Sequence, residues 1–350
     1  MKITIINMIS VSFLILTLCI GCFFTGCADA TENSIGENQE AENGSFFDET
    51  LKDTVESNIN RVEAVEEKGQ QIHLGISYFF NVTGDTSKIE FISVIPDDYE
   101  LRQKVIESSF SIRPVELFES GNTRYAKFVI LNPDEGLRLD INMKIQIFDY
   151  DFKRAQKLKT KISYRPLSSE EYAFYTASEK NIETKDPGIV KIADSFKESD
   201  QVSLVQSIYD FVLERLDYQG YNPEDCGAAA ALSRGGGDCT EYSDLFVTLC
   251  RAKGIPARVV EGHTTDAIPD EIGMGHNWSE VYLEDVGWVP FDCIFDDNNG
   301  IMQDTTFDNL KSVYLYTSFT RNDPKLFGYH YYAYYYYGDE IGVEKSISIH

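Results

Sequence analysis

Arg234-Gly-Gly-Gly-Asp-Cys239-Thr-Glu-Tyr242 is the stretch that decides the fold. Gly235, Gly236 and Gly237 make a loop that most side chains could not follow. Asp238 then has the character of a helix N-cap, with Glu241 three residues on as capping-box partner. Leu245, Phe246, Leu249 and Cys250 recur at helical spacing, and Gly254 and Pro256 stop the pattern. Cys239 therefore falls in the first turn of a helix. Unpaired backbone N–H groups and the positive end of the helix dipole favour a thiolate there. Its own N–H is a candidate oxyanion donor. Cys250 cannot be its disulfide partner on the same helix: eleven residues at ~1.5 Å rise separate them by ~16 Å, beyond the ~7 Å limit for Cα atoms.

Downstream, His276-Asn-Trp-Ser-Glu-Val-Tyr-Leu283 reads as a strand. Glu284-Asp-Val-Gly287 reads as a turn, and Trp288-Val-Pro-Phe-Asp292 as the returning strand. A hairpin centred near Glu284 sets residue 276 opposite residue 292, with Cβ atoms about 5 Å apart. The imidazole can then donate to the carboxylate, which fixes its tautomer and orientation. A one-residue slip would break that pairing. His263, just after the apolar strand 257–261, is a rival base without an evident carboxylate partner. Asp296 and Asp297 could replace Asp292 but read as solvent-facing loop residues. Trp278 and Trp288 read as packing, with Trp278 also able to wall the site. The ordered Cys, His and Asp are the groups that acyl transfer through a thioester needs.

GGGDCTEYSDLFVTLCRAKGIPARVV, then GHNWSEVYL, then GWVPFDC, resembles the transglutaminase-like superfamily of papain-like thiol enzymes over roughly residues 200–297. The resemblance implies a papain-like α+β core, with Cys239 as nucleophile, His276 as base and Asp292 as the orienting acid. It also implies an aromatic helper to the oxyanion upstream of the cysteine, a part that Tyr218 or Tyr221 could fill. The family spans glutamine cross-linkers, peptidases, amidases and members that have lost activity. Cys293, directly after Asp292, departs from the Pro or Thr often found there and puts an extra thiol beside the triad.

Residues 1–27 carry Lys2, an apolar run from Ile3 to Phe24, and Thr25-Gly26-Cys27, the pattern of an export signal. Cys27 resembles the lipidated cysteine of a bacterial lipoprotein box, with Cys22 a second candidate. An uncleaved anchor is the other reading, since the run is long enough to span a bilayer. Either places the remainder outside the cytoplasm, held at the membrane. Residues 28–69, rich in Glu, Asn, Ser, Asp and Gly, read as a flexible acidic tether.

Residues 70–165 read as an all-β sandwich. Its expected strands lie at 72–82, 88–94, 124–131 and 139–152, separated by Gly, Pro, Asn and Asp turn signals. Such a domain before a thiol domain resembles the layout of exported family members. Residues 166–337 form the expected thiol domain, with helix or linker at 167–178 and helices near 189–196 and 201–216. Val202, Val205, Ile208, Tyr209, Val212 and Leu216 give the last an apolar face. Residues 338–350 read as a C-terminal tail. The tyrosines at 331–337 read as a strand over the thiol domain, or as a surface for sugar rings or a partner. His73, His330 and His350 carry no functional expectation.

The chain has 57 acidic residues against 31 Lys and Arg, for a net charge of −26. With no basic-plus-aromatic run, nucleic acid is excluded as an expected partner. Cys226 and Cys293 could pair in an oxidising compartment. No CxxC or HxxxH spacing supports zinc, and the acidic loop 296–300 lacks EF-hand spacing, so no metal or other cofactor is expected. The expected activity is that of an extracytoplasmic thiol enzyme acting on protein or peptide amide bonds, either hydrolysing them or transferring the acyl group to an amine. The alternative is a surface scaffold with a silent thiol fold, with cell-wall polymer as a candidate partner.

Overall fold

The computed structural model describes residues 68–158, 166–222, 224–265, 275–294 and 309–350. The export signal, Cys22 and Cys27, the tether as far as residue 67, and Asp296 and Asp297 lie outside the described residues.

The chain is mixed α+β with a β-rich N-terminal region. Six strands come first: β1 (Gly69–Asn81), β2 (Lys88–Ile95), β3 (Gln103–Phe110), β4 (Glu116–Ser120), β5 (Thr123–Leu131) and β6 (Arg138–Phe148). Then come β7 (Tyr150–Asp151), α1 (Phe152–Leu158), α2 (Ser169–Thr176), α3 (Pro187–Ala193), α4 (Gln201–Arg215) and β8 (Asp217–Tyr218). The thiol-bearing part continues with α5 (Ala228–Arg234), β9 (Gly236–Gly237), α6 (Cys239–Ala252), β10 (Ala257–Thr264), β11 (His276–Leu283) and β12 (Gly287–Phe291). Beyond it lie β13 (Asn309–Leu310), β14 (Tyr314–Ser318), β15 (Tyr332–Tyr337) and β16 (Gly342–Ile349).

Two four-stranded antiparallel sheets, ordered β16-β1-β6-β3 and β15-β2-β5-β4, close on one apolar core. Every second residue of β1 faces inward, from Ile72 through Leu74, Ile76 and Tyr78 to Phe80. This is the pleat's period of two. The outer strands come from the far end of the chain, so two expectations need correcting. The tyrosine run pairs with β2, and Tyr332, Tyr334 and Tyr336 enter the sandwich core rather than covering the thiol domain. Residues 342–349 pair with β1 over eight positions and are no loose tail. Two further strands, β3 and β4, lie at the other edges, where few residues are buried. The last expected strand is also shorter: β6 stops at Phe148, and Phe152 opens α1.

The second core forms around α6, whose residues from Thr240 to Arg251 are all buried. On one side lies the sheet β12-β11-β10-β14, and on the other the helices α3, α4 and α5. α4 offers this core Leu204, Val205, Ile208, Tyr209 and Val212, while Val202 stays exposed. The two halves are bound together by the 99–103 segment. Gln103 accepts the Tyr316 N–H at 2.8 Å and donates to the Tyr316 carbonyl at 2.9 Å, imitating a strand partner. Beside it Glu280 is clasped by Arg258 at 2.6 Å and accepts from the Tyr99 hydroxyl at 2.9 Å. Arg102 reaches the Trp288 carbonyl at 3.0 Å. Buried charges of this kind persist because each finds a partner.

Candidate active site

The glycine loop and cap form as their chemistry requires. Asp238 accepts the Thr240 N–H at 2.8 Å, and Glu241 accepts the Asp238 N–H at 3.1 Å, closing a capping box over Cys239. Gly235 sits at φ +76°, in the left-handed region. A Cβ on Gly237 would fall 2.4 Å from the Glu241 Cβ, so only glycine lets the cap close. Glu241 also accepts the Cys226 N–H at 3.0 Å, and Asp238 the Asn222 N–H at 2.9 Å, which anchors the preceding loop to the helix start.

His276 opens β11, and its Nε2 lies 2.6 Å from Asp292 Oδ2. The hairpin register differs from the expected one. Leu283 faces Gly287 and Ser279 faces Phe291, so the turn centres on Asp285, and Asp292 follows the last paired residue. His276 meets Asp292 diagonally instead of directly. Because the offset is two residues, both side chains stay on one face.

Cys239 completes the trio by hydrogen-bonding His276. Burial alone would lower the imidazolium's pKa. The charge and hydrogen bond of Asp292, then those of Cys239, outweigh burial and raise it to about 10. That environment favours the charged imidazolium at His276.

Three supports escaped the sequence reading. The Tyr314 hydroxyl donates to the same Asp292 oxygen at 2.8 Å. The Tyr209 hydroxyl donates to the Asp292 backbone carbonyl at 3.2 Å. Asn277 Nδ2 donates to Thr240 Oγ1 at 2.9 Å, tying the residue after the histidine to the residue after the cysteine. The asparagine lies inside the quoted motif, but nothing local says what it reaches. The two tyrosines sit in other elements.

Of the aromatic candidates, Tyr221 is the one whose phenol feels the charge of Cys239. It is 43% exposed, and burial together with the charges of Asp238, Asp225 and Cys239 raises its phenol's pKa. Tyr218 packs against the core from β8, which runs parallel to β9. Trp278 is fully buried and stacks on His276 with ring centres 5.9 Å apart. His263, the rival base, is buried and stacks on Tyr331 at 5.2 Å. No disulfide joins Cys226 and Cys293, so the suggested pairing is absent. Burial, then Glu241, raises the Cys226 thiol to about 11.

His330, left without a role by the sequence, bonds Glu261 through Nδ1 at 2.8 Å and lies 3.4 Å from Asp225 through Nε2. The Glu261 charge, against burial, holds its pKa up at about 10. Arg321 joins this group to α6, reaching Asp225 at 2.7 Å and Asp244 at 3.0 Å. Tyr331, at φ +64°, donates to the Gly262 carbonyl at 3.1 Å. A Cβ on Gly275, the residue before the histidine, would fall 1.9 Å from its hydroxyl oxygen. Among the described residues no cluster of His, Cys, Asp and Glu is arranged to hold a metal ion.

Residues 190–293, which carry this arrangement, match the transglutaminase-like superfamily. This segment is a transglutaminase-like core domain. The uncharacterized protein YebA of Bacillus subtilis is 36% identical over 67 residues, a match covering 16% of this chain and 9% of YebA. A solved structure from Cytophaga hutchinsonii, described as a candidate cysteine protease, superposes with a TM-score of 0.53 at 16% identity. It covers 80% of this chain and 91% of its own, so the likeness in fold extends well beyond the transglutaminase-like core.

Proposed function

We propose that the chain is an extracytoplasmic thiol enzyme that cleaves or transfers amide bonds of proteins or peptides through Cys239, His276 and Asp292. The observation that carries the reading is the contact sequence Cys239–His276–Asp292 at a helix start, with Nε2 2.6 Å from the carboxylate. The Cys239 thiolate attacks the amide carbonyl carbon. First-turn backbone N–H groups, with Tyr221 alongside, receive the developing oxyanion. The His276 imidazolium gives its proton to the leaving nitrogen as the C–N bond breaks, which leaves a thioester and a neutral imidazole. Water then attacks the thioester as His276 takes its proton, and the acid and the thiol are released. An amine in place of water gives a new amide. Hydrolysis is the preferred outcome, since water needs no second binding site. Asp292 keeps the imidazole oriented and stabilises its charge.

The extracytoplasmic placement rests on the signal-like residues 1–27, with Cys27 as the lipid-bearing residue that holds the protein at the membrane. Among the described residues no helix is long and apolar enough to cross one. The division into tether, sandwich and thiol domain belongs to this reading, with the C-terminal strands assigned to the sandwich. The silent-scaffold alternative, in which outward-facing Tyr335 and Tyr337 meet a cell-wall polymer, is separated by one measurement. Thiol-directed labelling across pH, located by mass spectrometry, compares wild type, Cys239→Ala and His276→Ala. Selective labelling of Cys239 near neutral pH that weakens in His276→Ala supports the enzyme. No preference for Cys239 removes it.

A further inference from the structure

Asp292 Oδ2 accepts two hydrogen bonds, from His276 Nε2 at 2.6 Å and from the Tyr314 hydroxyl at 2.8 Å. Nothing in the triad's logic requires the second. Tyr314 and Asp292 are each only 3% exposed, so water does not compete for that oxygen freely. The tyrosine comes from β14, which pairs with β10 on the side of the sheet opposite β11, and its ring meets Trp278 edge-on at 5.1 Å. Burial, followed by the charge and hydrogen bond of Asp292, holds the phenol's pKa well above its usual value, so it remains a donor.

The carboxylate has other anchors. The Ile294 N–H donates to Oδ1 at 3.1 Å, and Tyr209 holds the backbone carbonyl at 3.2 Å. Among the groups that bear on the His276 charge are Asp292 from the end of β12 and Cys239 from α6, with Tyr314 acting on the former and its ring centre 6.3 Å from the imidazole. Trp278 supplies an uncharged face at 5.9 Å.

We propose that Tyr314 is a positioning residue that draws charge from the Asp292 oxygen facing His276, and so sets how firmly the imidazole holds its proton. Two donors on one oxygen share its negative charge, and each weakens the other's hold. With Tyr314 in place, His276 keeps enough acidity to release a proton to a leaving nitrogen, the step assigned to it above. The inference rests on the thiol-enzyme reading for its meaning, but its direct observable, the titration of one imidazole, does not.

The test uses the full-length chain with isotope-labelled histidine, of which the sequence has five, and NMR titration of each ring. His276→Ala identifies the signal. Tyr314→Phe keeps the ring packed against Trp278 and removes only the hydroxyl. It should move the His276 midpoint upward by about 0.5 to 1 pH unit. Tyr209→Phe, which loses a bond to the backbone and not to the carboxylate, should leave the midpoint in place. An unchanged or lowered midpoint in Tyr314→Phe overturns the proposal, as does an equal shift in both variants. Cys239→Ala tests the parent reading separately: a thiolate partner should have been raising the midpoint, so its loss should lower it. If Cys239→Ala has no effect while Tyr314→Phe shifts the signal, the thiol pair fails and the tyrosine's role stands.

Discussion

Lys345 occupies an inward position of β16, two residues from Val343 and two from Ile347, where the pleat points toward the sandwich interior. Its ammonium lies 3.5 Å from the centre of the Tyr331 ring. Burial, only partly offset by the charge of Glu261, lowers its pKa from 10.5 to about 7. A lysine whose folded pKa is depressed contributes stability above its unfolded value, and that contribution is lost as pH falls through the folded value. The window therefore runs from about pH 10.5 down to about 7 and below. Charging the buried amine would cost at most about 5 kcal/mol by this linkage. Its partial exposure and about 2 kcal/mol of attraction to the tyrosine face bring the net cost to about 2 kcal/mol. Lys345→Met keeps the length of the chain and removes the charge. Urea unfolding should show it more stable than wild type by about 2 kcal/mol at pH 6, with the gain gone by pH 10.5. A variant whose advantage is the same at both pH values, or that is less stable at pH 6, refutes the account.

Gly275→Ala would drive a methyl group into the Tyr331 hydroxyl, 1.9 Å away. Cys239 alkylation should slow by about tenfold because His276 is displaced, and adding Tyr331→Phe should recover part of the rate. Arg321→Met strands Asp244, fully buried on α6, and leaves Asp225 with His330 as its remaining partner. The expected loss is about 3–5 kcal/mol in denaturant unfolding, and Arg321→Met with Asp244→Asn should lose clearly less than the single variant. Asn277→Ala removes the donor to Thr240 Oγ1. It should cost about 1–2 kcal/mol and lower Cys239 labelling more than the stability loss explains, as measured by labelling well below the melting temperature.

What the sequence made legible was local. The glycines, Asp238 and Glu241 act within seven residues, so the loop, cap and helix start could be read directly. The hairpin was legible as a type but not in register. Leu283 and Gly287 close a three-residue loop, with Asp285 at φ +72° and Gly287 at φ +95°. A turn of that length moves the centre by one residue and the pairing by two, which is why the His276–Asp292 contact survived the error. β3 was missed because Lys104 and the Glu107-Ser-Ser run give it no apolar alternation, and only Gln103 of the strand is buried. The tyrosine run was readable as a strand, yet no periodicity states that its neighbour is β2, more than two hundred residues earlier.

The same limit explains why the site's supports were invisible while Cys239, His276 and Asp292 were plain. Tyr314, Arg321, His330, Tyr331 and Lys345 all follow the last recognisable motif, on the stretch that leaves the β12-β11-β10-β14 sheet at β14 and closes the sandwich with β15 and β16. Each reaches back across the fold: to Asp292, to Asp244, to Glu261, to Gly262 and to the Tyr331 ring itself. The sandwich is thus completed by the segment that steadies the histidine's end of the site. Tyr331 holds a backbone conformation that costs a bulky residue roughly 1–3 kcal/mol, with His263 stacked on its ring at 5.2 Å and Lys345 Nζ 3.5 Å from its centre. Packing of the sandwich edge against the sheet that carries His276 supplies the contacts that hold this conformation. A change in β16 should therefore be felt at Gly275 and His276, although no residue of that strand belongs to the triad.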